Sequence, residues 1–252
     1  MKTDNTLHEI DGLKAELSAL RPLPAVALQK IEDAMRIEYT YDSNRIEGNT
    51  LTLQETALVV NEGITISGKS MREHLEAINH SEAVEFIEDV AAGDTPITEG
   101  VIKDIHGIVL RGIDRENAGR YRTVPVMISG SKFIPPQPYL IASQMEAFIE
   151  EFRRTESVGM HPVLVAAYLH DELVKIHPFI DGNGRTSRLL MNLYLLQHGY
   201  PIVSLKSDND SKLRYYNALE ESHTTGKRAD FNDFVAETVA DTLKQYLSLL
   251  RG

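Results

Sequence analysis

A tight loop between two apolar helical segments, residues 177–188 (HPFIDGNGRTSR), limits the folds that this chain can adopt. Apolar residues recur at helical spacing in 162–176, and the pattern resumes after the loop as far as Gly199, a typical helix end. Gly182 and Gly184 let the backbone turn sharply and approach a ligand. The pattern therefore predicts a helix, a tight loop and a second helix, whose first amides form an anion site.

Most of the remaining chain also has the apolar spacing of helices, so the expected fold is mainly α. Two capping boxes mark helix starts, one formed by Thr52 with Glu55 and the other by Ser70 with Glu73. Thr98 is expected to cap a further helix.

One segment, residues 119–136, interrupts the helical period. Two short runs, 126–128 and 132–134, flank Ser129, Gly130 and Ser131. This pattern predicts a short β-hairpin with a glycine turn. Because an isolated hairpin is a poor structural unit, we expect it to act as a lid or docking edge beside a site.

Charge and composition exclude several classes of function. A formal net charge of −11 disfavours extended binding of nucleic acid, although a nucleotide can bind where cations cluster. Candidates for such a cluster are Arg120, Arg122, Arg185 and Arg188. The absence of cysteine excludes disulfides and thiolate metal sites, and it fits a cytoplasmic protein. We expect no secretory signal and no membrane span, because no apolar run approaches about 20 residues.

The loop also carries the residue types of phosphate transfer. His177 can take a proton from a hydroxyl near neutral pH. Asp181 is a carboxylate beside a phosphate site, which is the usual placement for holding Mg²⁺. Arg185 and Arg188 project from one side of the first helical turn and suit phosphate oxygens. Together these parts predict transfer from a nucleotide phosphate to a hydroxyl.

Each of these residues has an ordinary structural explanation when it is taken alone. His177 would more often be a packed histidine at a helix end, and Asp181 could be a helix N-cap. The two arginines would usually lie on a solvated helix face. Their occurrence together in one ordered string favours a functional site.

The position of Glu47 is electrostatically unfavourable within its own helix. Gly48 and Asn49 signal the end of a helix, so the carboxylate lies at the negative end of the helix dipole. A partner elsewhere in the chain should justify it.

The loop resembles the full Fic motif, H-P-F-x-[DE]-G-N-G-R-x-x-R, at every fixed position. The resemblance implies a Fic-type helical bundle with a hairpin flap, and transfer of AMP from ATP to a Ser, Thr or Tyr hydroxyl of a target protein. It implies that His177 is the base, that Asp181 holds Mg²⁺ and that Arg188 grips the γ-phosphate. Further nucleotide-binding residues implied in the motif are Gly182, Asn183, Gly184, Arg185, Thr186 and Ser187.

Residues 43–48 (SNRIEG) are similar to the inhibitory motif of that family, [ST]-x-x-x-E-[GN]. The resemblance implies that Glu47 pairs with Arg188 and blocks the γ-phosphate site. Such a pair is a switch that a partner could bias. Tyr215 and Tyr216 resemble a tyrosine pair beside the adenine, although His223 replaces an asparagine found in some relatives.

The predicted hairpin resembles the family's flap, on which a target protein docks as an added strand. The flap residues implied to line the nucleotide are Gly130, Ser131, Lys132 and Phe133. Self-modification and a homodimer are both compatible with the resemblance. We expect one globular unit with an inhibitory region at 1–66, a catalytic core at 67–225 and a packing helix at 226–252.

Two alternatives stay open. The first is removal of AMP, or transfer of another phosphate moiety, on the same fold. The second is a nucleotide-gated interaction module without turnover. Retention of both His177 and Asp181 counts against the second, because a pure binder needs neither a base nor a metal ligand.

Overall fold

Ten α-helices make up most of the described part of the chain, in a computed structural model that covers residues 2–20, 25–93 and 95–251. No helix within these ranges is long and apolar enough to cross a membrane. The helices are α1 (Lys2–Ala19), α2 (Ala25–Ile46), α3 (Leu53–Glu62), α4 (Met71–Ala92), α5 (Glu99–Val109), α6 (Ile141–Ser157), α7 (Pro162–Ile176), α8 (Asn183–Gln197), α9 (Asn209–Thr225) and α10 (Ala229–Arg251).

Residues 177–182, called the motif loop below, connect α7 and α8. These two helices form the centre of the structure. They pack against each other, and α4 and α5 cover α8 while α6 and α10 cover α7. Nearly all of α8 is buried around its whole circumference, polar side chains included, which is typical of a core helix. The loop between α7 and α8 is therefore held on two well-packed supports.

The helix starts predicted from capping residues are confirmed. Thr52 with Glu55 and Ser70 with Glu73 both form complete capping boxes, at the starts of α3 and α4. The Thr98 side chain accepts a hydrogen bond from a backbone amide in the first turn of α5. These local signals fix where α3, α4 and α5 begin.

A turn after α2 directs Glu47 towards α8. Gly48 has a φ of 99°, a left-handed conformation that disfavours other residues. The side-chain amide of Asn49 donates to the Glu73 backbone carbonyl at 3.0 Å and to the Glu76 carboxylate at 3.1 Å. The first turns of α4 thus hold the Glu47 turn, which we define as residues 47–50.

The predicted β-hairpin is not confirmed, because the described residues contain no strand. The segment at 122–137, called the flap segment below, instead makes one turn at Gly130 and is otherwise irregular. Pro125, Pro135 and Pro136 border the two predicted strands and have no amide hydrogen, so a hydrogen-bond ladder could not extend past them.

Hydrogen bonds from Arg122, rather than a strand ladder, hold the flap segment. Its buried guanidinium donates to the backbone carbonyls of Val124 at 3.0 Å, Pro136 at 2.6 Å and His177 at 2.8 Å. It therefore ties both ends of the flap segment to the motif loop. Arg122 is one of the candidate cations for a phosphate-binding cluster, but the three hydrogen bonds that it makes in this structure hold the backbone.

We predict that Leu173→Ala lowers the free energy of unfolding by about 2–5 kcal/mol, because Leu173 is fully buried in α7 and its removal leaves a cavity in the core. Urea denaturation measures the change. Leu249→Ala, at a half-exposed position of α10, is the control and should cost much less. Equal losses in the two variants would show that α7 is not at the centre of the core.

Candidate active site

Several hydrogen bonds hold the backbone of the motif loop. His177, in the left-handed conformation with a φ of 50°, ends α7 by donating its amide to the Leu173 carbonyl at 3.0 Å. The Asn183 side chain closes the loop, since its oxygen accepts from the Phe179 amide and its nitrogen donates to the Phe179 carbonyl, both at 2.9 Å. Asn183 therefore has a structural role at the start of α8.

His106 supports the loop from α5. Its ring stacks on Phe179 with the ring centres 3.7 Å apart. Nδ1 accepts a hydrogen bond from the Gly119 amide at 2.9 Å, so Nε2 carries the proton and donates to the Asp181 carbonyl at 3.0 Å. Burial lowers the pKa of His106 to about 4, which keeps the ring neutral. No local sequence pattern predicts the contact of His106 with Asp181, because the two residues lie 75 positions apart.

His177 has the arrangement of a general base. Its Nδ1 lies 3.1 Å from the Val174 carbonyl, which can only accept, so Nδ1 carries the proton and Nε2 keeps its lone pair. Burial lowers the pKa of His177 below its ordinary value of 6.5. The imidazole is therefore neutral at pH 7 and able to accept a proton.

Asp181 is an ionised carboxylate at the mouth of the loop. One oxygen accepts from the Gly182 amide at 2.6 Å, and the other lies 2.5 Å from Arg72 Nη2. Burial alone would raise the pKa of Asp181, but Arg185, the Gly182 amide and Arg72 together lower it. One carboxylate beside phosphate-binding groups is the donor set that Mg²⁺ accepts, the remaining ligands being phosphate and water oxygens.

Arg185 has unused hydrogen-bonding capacity. It is buried, and its Nε and Nη1 have no hydrogen-bond partner among the described residues. Its Nη1 lies 3.4 Å from a Glu76 carboxylate oxygen, and its Nη2 lies 3.4 Å from Asp181. Buried donors left without a partner are costly, so this guanidinium is suited to an incoming phosphate. These residues fit a magnesium–nucleotide complex.

Arg188 binds residues of α2, of the Glu47 turn and of α9. Its Nε donates to the Ser43 hydroxyl at 2.9 Å, and its Nη2 donates to the Ser43 carbonyl at 2.9 Å and to Glu47 Oε1 at 2.7 Å. Its Nη1 reaches the Tyr215 hydroxyl at 3.3 Å. Burial alone would lower the pKa of Arg188, but Glu47 and the nearby tyrosines raise it, so the side chain stays charged.

The Glu47 carboxylate also fills the space above Gly184. A Cβ atom built at Gly184 would overlap Glu47 Oε1 and would lie 3.2 Å from Arg188 Nη1. The carboxylate thus lies at the N-terminus of α8, where free amides attract an anion. The structure brings Glu47, Gly184 and Arg188 together although about 140 residues separate the first from the other two.

The remaining motif residues lie inside α8. Thr186 and Ser187 are fully buried, and the Ser187 hydroxyl donates to the Asn183 carbonyl of its own helix at 2.8 Å. The Thr186 amide donates to the Gly182 carbonyl at 2.9 Å. Their contacts in this structure are therefore structural.

The tyrosine pair on α9 contacts Arg188 and the end of α2. The Tyr215 hydroxyl lies between Arg188 and His170 Nε2, the latter at 3.1 Å. The half-exposed Tyr216 donates to the Ile46 carbonyl, at the end of α2, at 3.1 Å. Both tyrosines lie beside the Glu47 turn, and Tyr216 helps to hold it.

The flap segment is fastened to α9, a contact that sequence reasoning missed. Glu220 accepts hydrogen bonds from the Ser131 hydroxyl and from the Lys132 amide, the latter at 2.9 Å. Phe133 packs on His223 with the ring centres 5.1 Å apart, and His223 Nε2 lies 3.1 Å from the buried Asp171 carboxylate. The structure therefore places the turn at Gly130–Phe133 against α9.

Comparison with known proteins agrees with this geometry. Residues 96–195 match the family model described as "Fic/DOC family". The chain is 36% identical over 244 residues to "Protein adenylyltransferase Fic" of Drosophila persimilis, which covers 97% of this chain and 47% of that protein. It spans about half the length of the curated relatives it matches.

Two solved structures share the fold over almost the whole chain. Fic-1 (residues 134–508) of C. elegans aligns with a TM-score of 0.88 and 29% identity, covering 99% of this chain and 73% of that one. A Fic domain containing signaling protein of Bacteroides thetaiotaomicron aligns with a TM-score of 0.86 and 28% identity, covering 97% of each chain.

The contact of Glu47 with Gly184 predicts that the effect of Gly184→Ala on stability depends on whether Glu47 is present. With Glu47 present, the added methyl group should destabilise the fold by about 1–3 kcal/mol through overpacking. In Glu47→Ala only the 3.2 Å contact with Arg188 Nη1 remains, and the helix preference of alanine over glycine, up to about 1 kcal/mol, should largely offset it. Urea denaturation of the four proteins tests this. The same effect in both backgrounds would contradict the placement of Glu47.

Proposed function

We propose that this chain, which belongs to the Fic/DOC family, is a protein adenylyltransferase that its own Glu47 holds in an inhibited state. Its substrates are ATP and a Ser, Thr or Tyr hydroxyl of a target protein. The observation that carries the proposal is the neutral His177, with a free Nε2, at the head of a loop that ends in a helix N-terminus and two arginines. The name of the curated relatives supports the same activity.

The residues divide the reaction between them. His177 Nε2 takes the proton of the target hydroxyl, whose oxygen attacks the α-phosphorus of ATP while pyrophosphate leaves. The backbone at 182–184 and the unpaired donors of Arg185 hold the phosphates. Mg²⁺ bound by Asp181 would neutralise charge on the phosphate oxygens. Arg188 would bind the γ-phosphate.

Inhibition follows from competition for Arg188. The γ-phosphate needs the Arg188 Nη2 donor that Glu47 now occupies at 2.7 Å. The same carboxylate lies above Gly184, so bound triphosphate and seated Glu47 exclude each other by volume and by charge. The region at 1–66 would then regulate a core at 67–225, with 226–252 packed on that core.

The flap segment is the proposed docking edge for the target. Val124, Met127 and Ile134 are exposed along it, and its backbone is not engaged in a sheet. An extended target segment could lie beside it as an added strand. A second copy of this chain is one candidate target, which includes self-modification.

The test is transfer of label from ATP. Glu47→Gly, incubated with Mg²⁺ and ATP labelled at the α-phosphate, should label itself or a target at least about tenfold faster than the unmutated chain, because a charge-assisted hydrogen bond is worth about 1.5–3 kcal/mol. Labelled protein on a denaturing gel is the readout.

The matched control is Glu47→Gly with His177→Ala, which should not transfer. Label arriving from the γ-phosphate would indicate kinase chemistry instead. Release of AMP from a modified target by the unmutated chain would indicate hydrolytic removal of AMP. No transfer from any nucleotide would favour an interaction module.

The pKa of His177 predicts the pH profile of Glu47→Gly. Because burial lowers that pKa, the neutral base is fully present at pH 7 and is lost only as the pH falls through a value below 6.5. The value of kcat/KM should therefore be level between about pH 7 and 8 and should fall about tenfold per unit at low pH. A rate that keeps rising above pH 7 would point to another base.

A further inference from the structure

Four side chains, one of them Asp181, form a closed ring in which positive and negative charges alternate. Arg72 Nη2 lies 2.5 Å from Asp181 Oδ2, and Arg72 Nε lies 3.0 Å from Glu76 Oε1. Arg185 lies 3.4 Å from the same Glu76 oxygen and 3.4 Å from Asp181 Oδ1. Each carboxylate therefore has two arginine neighbours, and each arginine has two carboxylate neighbours.

The ring has a buried side and an open side. Arg185 and Glu76 are 3% and 12% exposed, whereas Arg72 is 56% exposed and Asp181 is 44% exposed. The side-chain amide of Asn49, in the Glu47 turn, donates to the other Glu76 oxygen at 3.1 Å and fixes that carboxylate. Arg72 is thus the member of the ring that can leave Asp181 without disturbing the core.

A divalent cation at Asp181 has to displace Arg72. The two compete for the lone pairs of Oδ2, and the cation would also lie beside the buried Arg185. A bare ion meets this repulsion in full, whereas the phosphates of a metal–nucleotide complex offset it. Arg72, still anchored by Glu76, remains close enough to attract those phosphates.

We infer that Arg72 is a positioning residue that occupies Asp181 in the nucleotide-free protein and keeps bare divalent cations from it. The metal then enters together with the triphosphate. This inference rests on the proposed function, because that function gives Asp181 its role as metal ligand. Arg72 is assigned no contact with the reacting atoms.

The test measures binding of Mn²⁺ alone to the full chain without nucleotide. Electron paramagnetic resonance reports the free aquo-ion during titration with unmutated protein or Arg72→Gln. We expect Arg72→Gln to bind Mn²⁺ about five- to tenfold more tightly, the effect of removing one half-exposed charged partner. No gain in affinity would overturn the inference.

The matched control is Arg111→Gln. Arg111 pairs with Glu82, and the two side chains are 57% and 44% exposed, which reproduces the exposure of Arg72 and Asp181. This variant removes the same charge and should leave Mn²⁺ affinity unchanged. An equal gain in both variants would mean that net charge alone is responsible, and that result would also overturn the inference.

A second variant locates the site. Adding Asp181→Asn to Arg72→Gln should abolish the gain, and a gain that persists would place the ion elsewhere and reject the role of Arg72. The readout is independent of transfer. If Glu47→Gly fails to transfer AMP while Arg72→Gln still binds Mn²⁺ more tightly through Asp181, the proposed function fails and the competition for Asp181 stands.

Discussion

The buried charge of Arg188 is the constraint on which the site depends. A guanidinium in the core has to be paired, and leaving it unpaired would cost several kcal/mol. In this chain Ser43 and Glu47 of the N-terminal region meet that requirement, with help from Tyr215. The contact proposed to inhibit the enzyme is therefore also a contact that stabilises the fold. A nucleotide that displaces Glu47 has to supply the same pairing, and a phosphate with charge and several acceptor oxygens can do so.

The motif loop can present its groups because other residues hold its backbone. Asn183 binds both the amide and the carbonyl of Phe179, and His106 stacks on the Phe179 ring while binding the Asp181 carbonyl. The side chains that face the substrate are thereby separated from those that fix the loop. His177 belongs to both groups, since its backbone ends α7 and its ring is the proposed base.

The sequence predicts this molecule well where the signal is local. Capping boxes locate two helix starts, and the motif locates the loop. The pairing of Glu47 with Arg188 follows only from the family resemblance, because nothing local links positions 141 residues apart. Contacts such as Arg72 with Asp181 and Glu220 with Ser131 have no local signal either, since they depend on how helices pack. The predicted hairpin is not confirmed, and the prolines that border its two short runs offer no amide donors to a longer ladder.

One acceptor of Arg188 is the backbone carbonyl of Ser43, and no side-chain substitution can delete it. Replacing Glu47 therefore leaves the guanidinium tethered to α2, with its plane still set by the main chain. The arginine is preorganised in both states, and only the occupant of its remaining donor changes. Under the proposed mechanism, a partner that activates the protein would not have to rebuild the binding site, because it would only need to move the Glu47 carboxylate off Arg188.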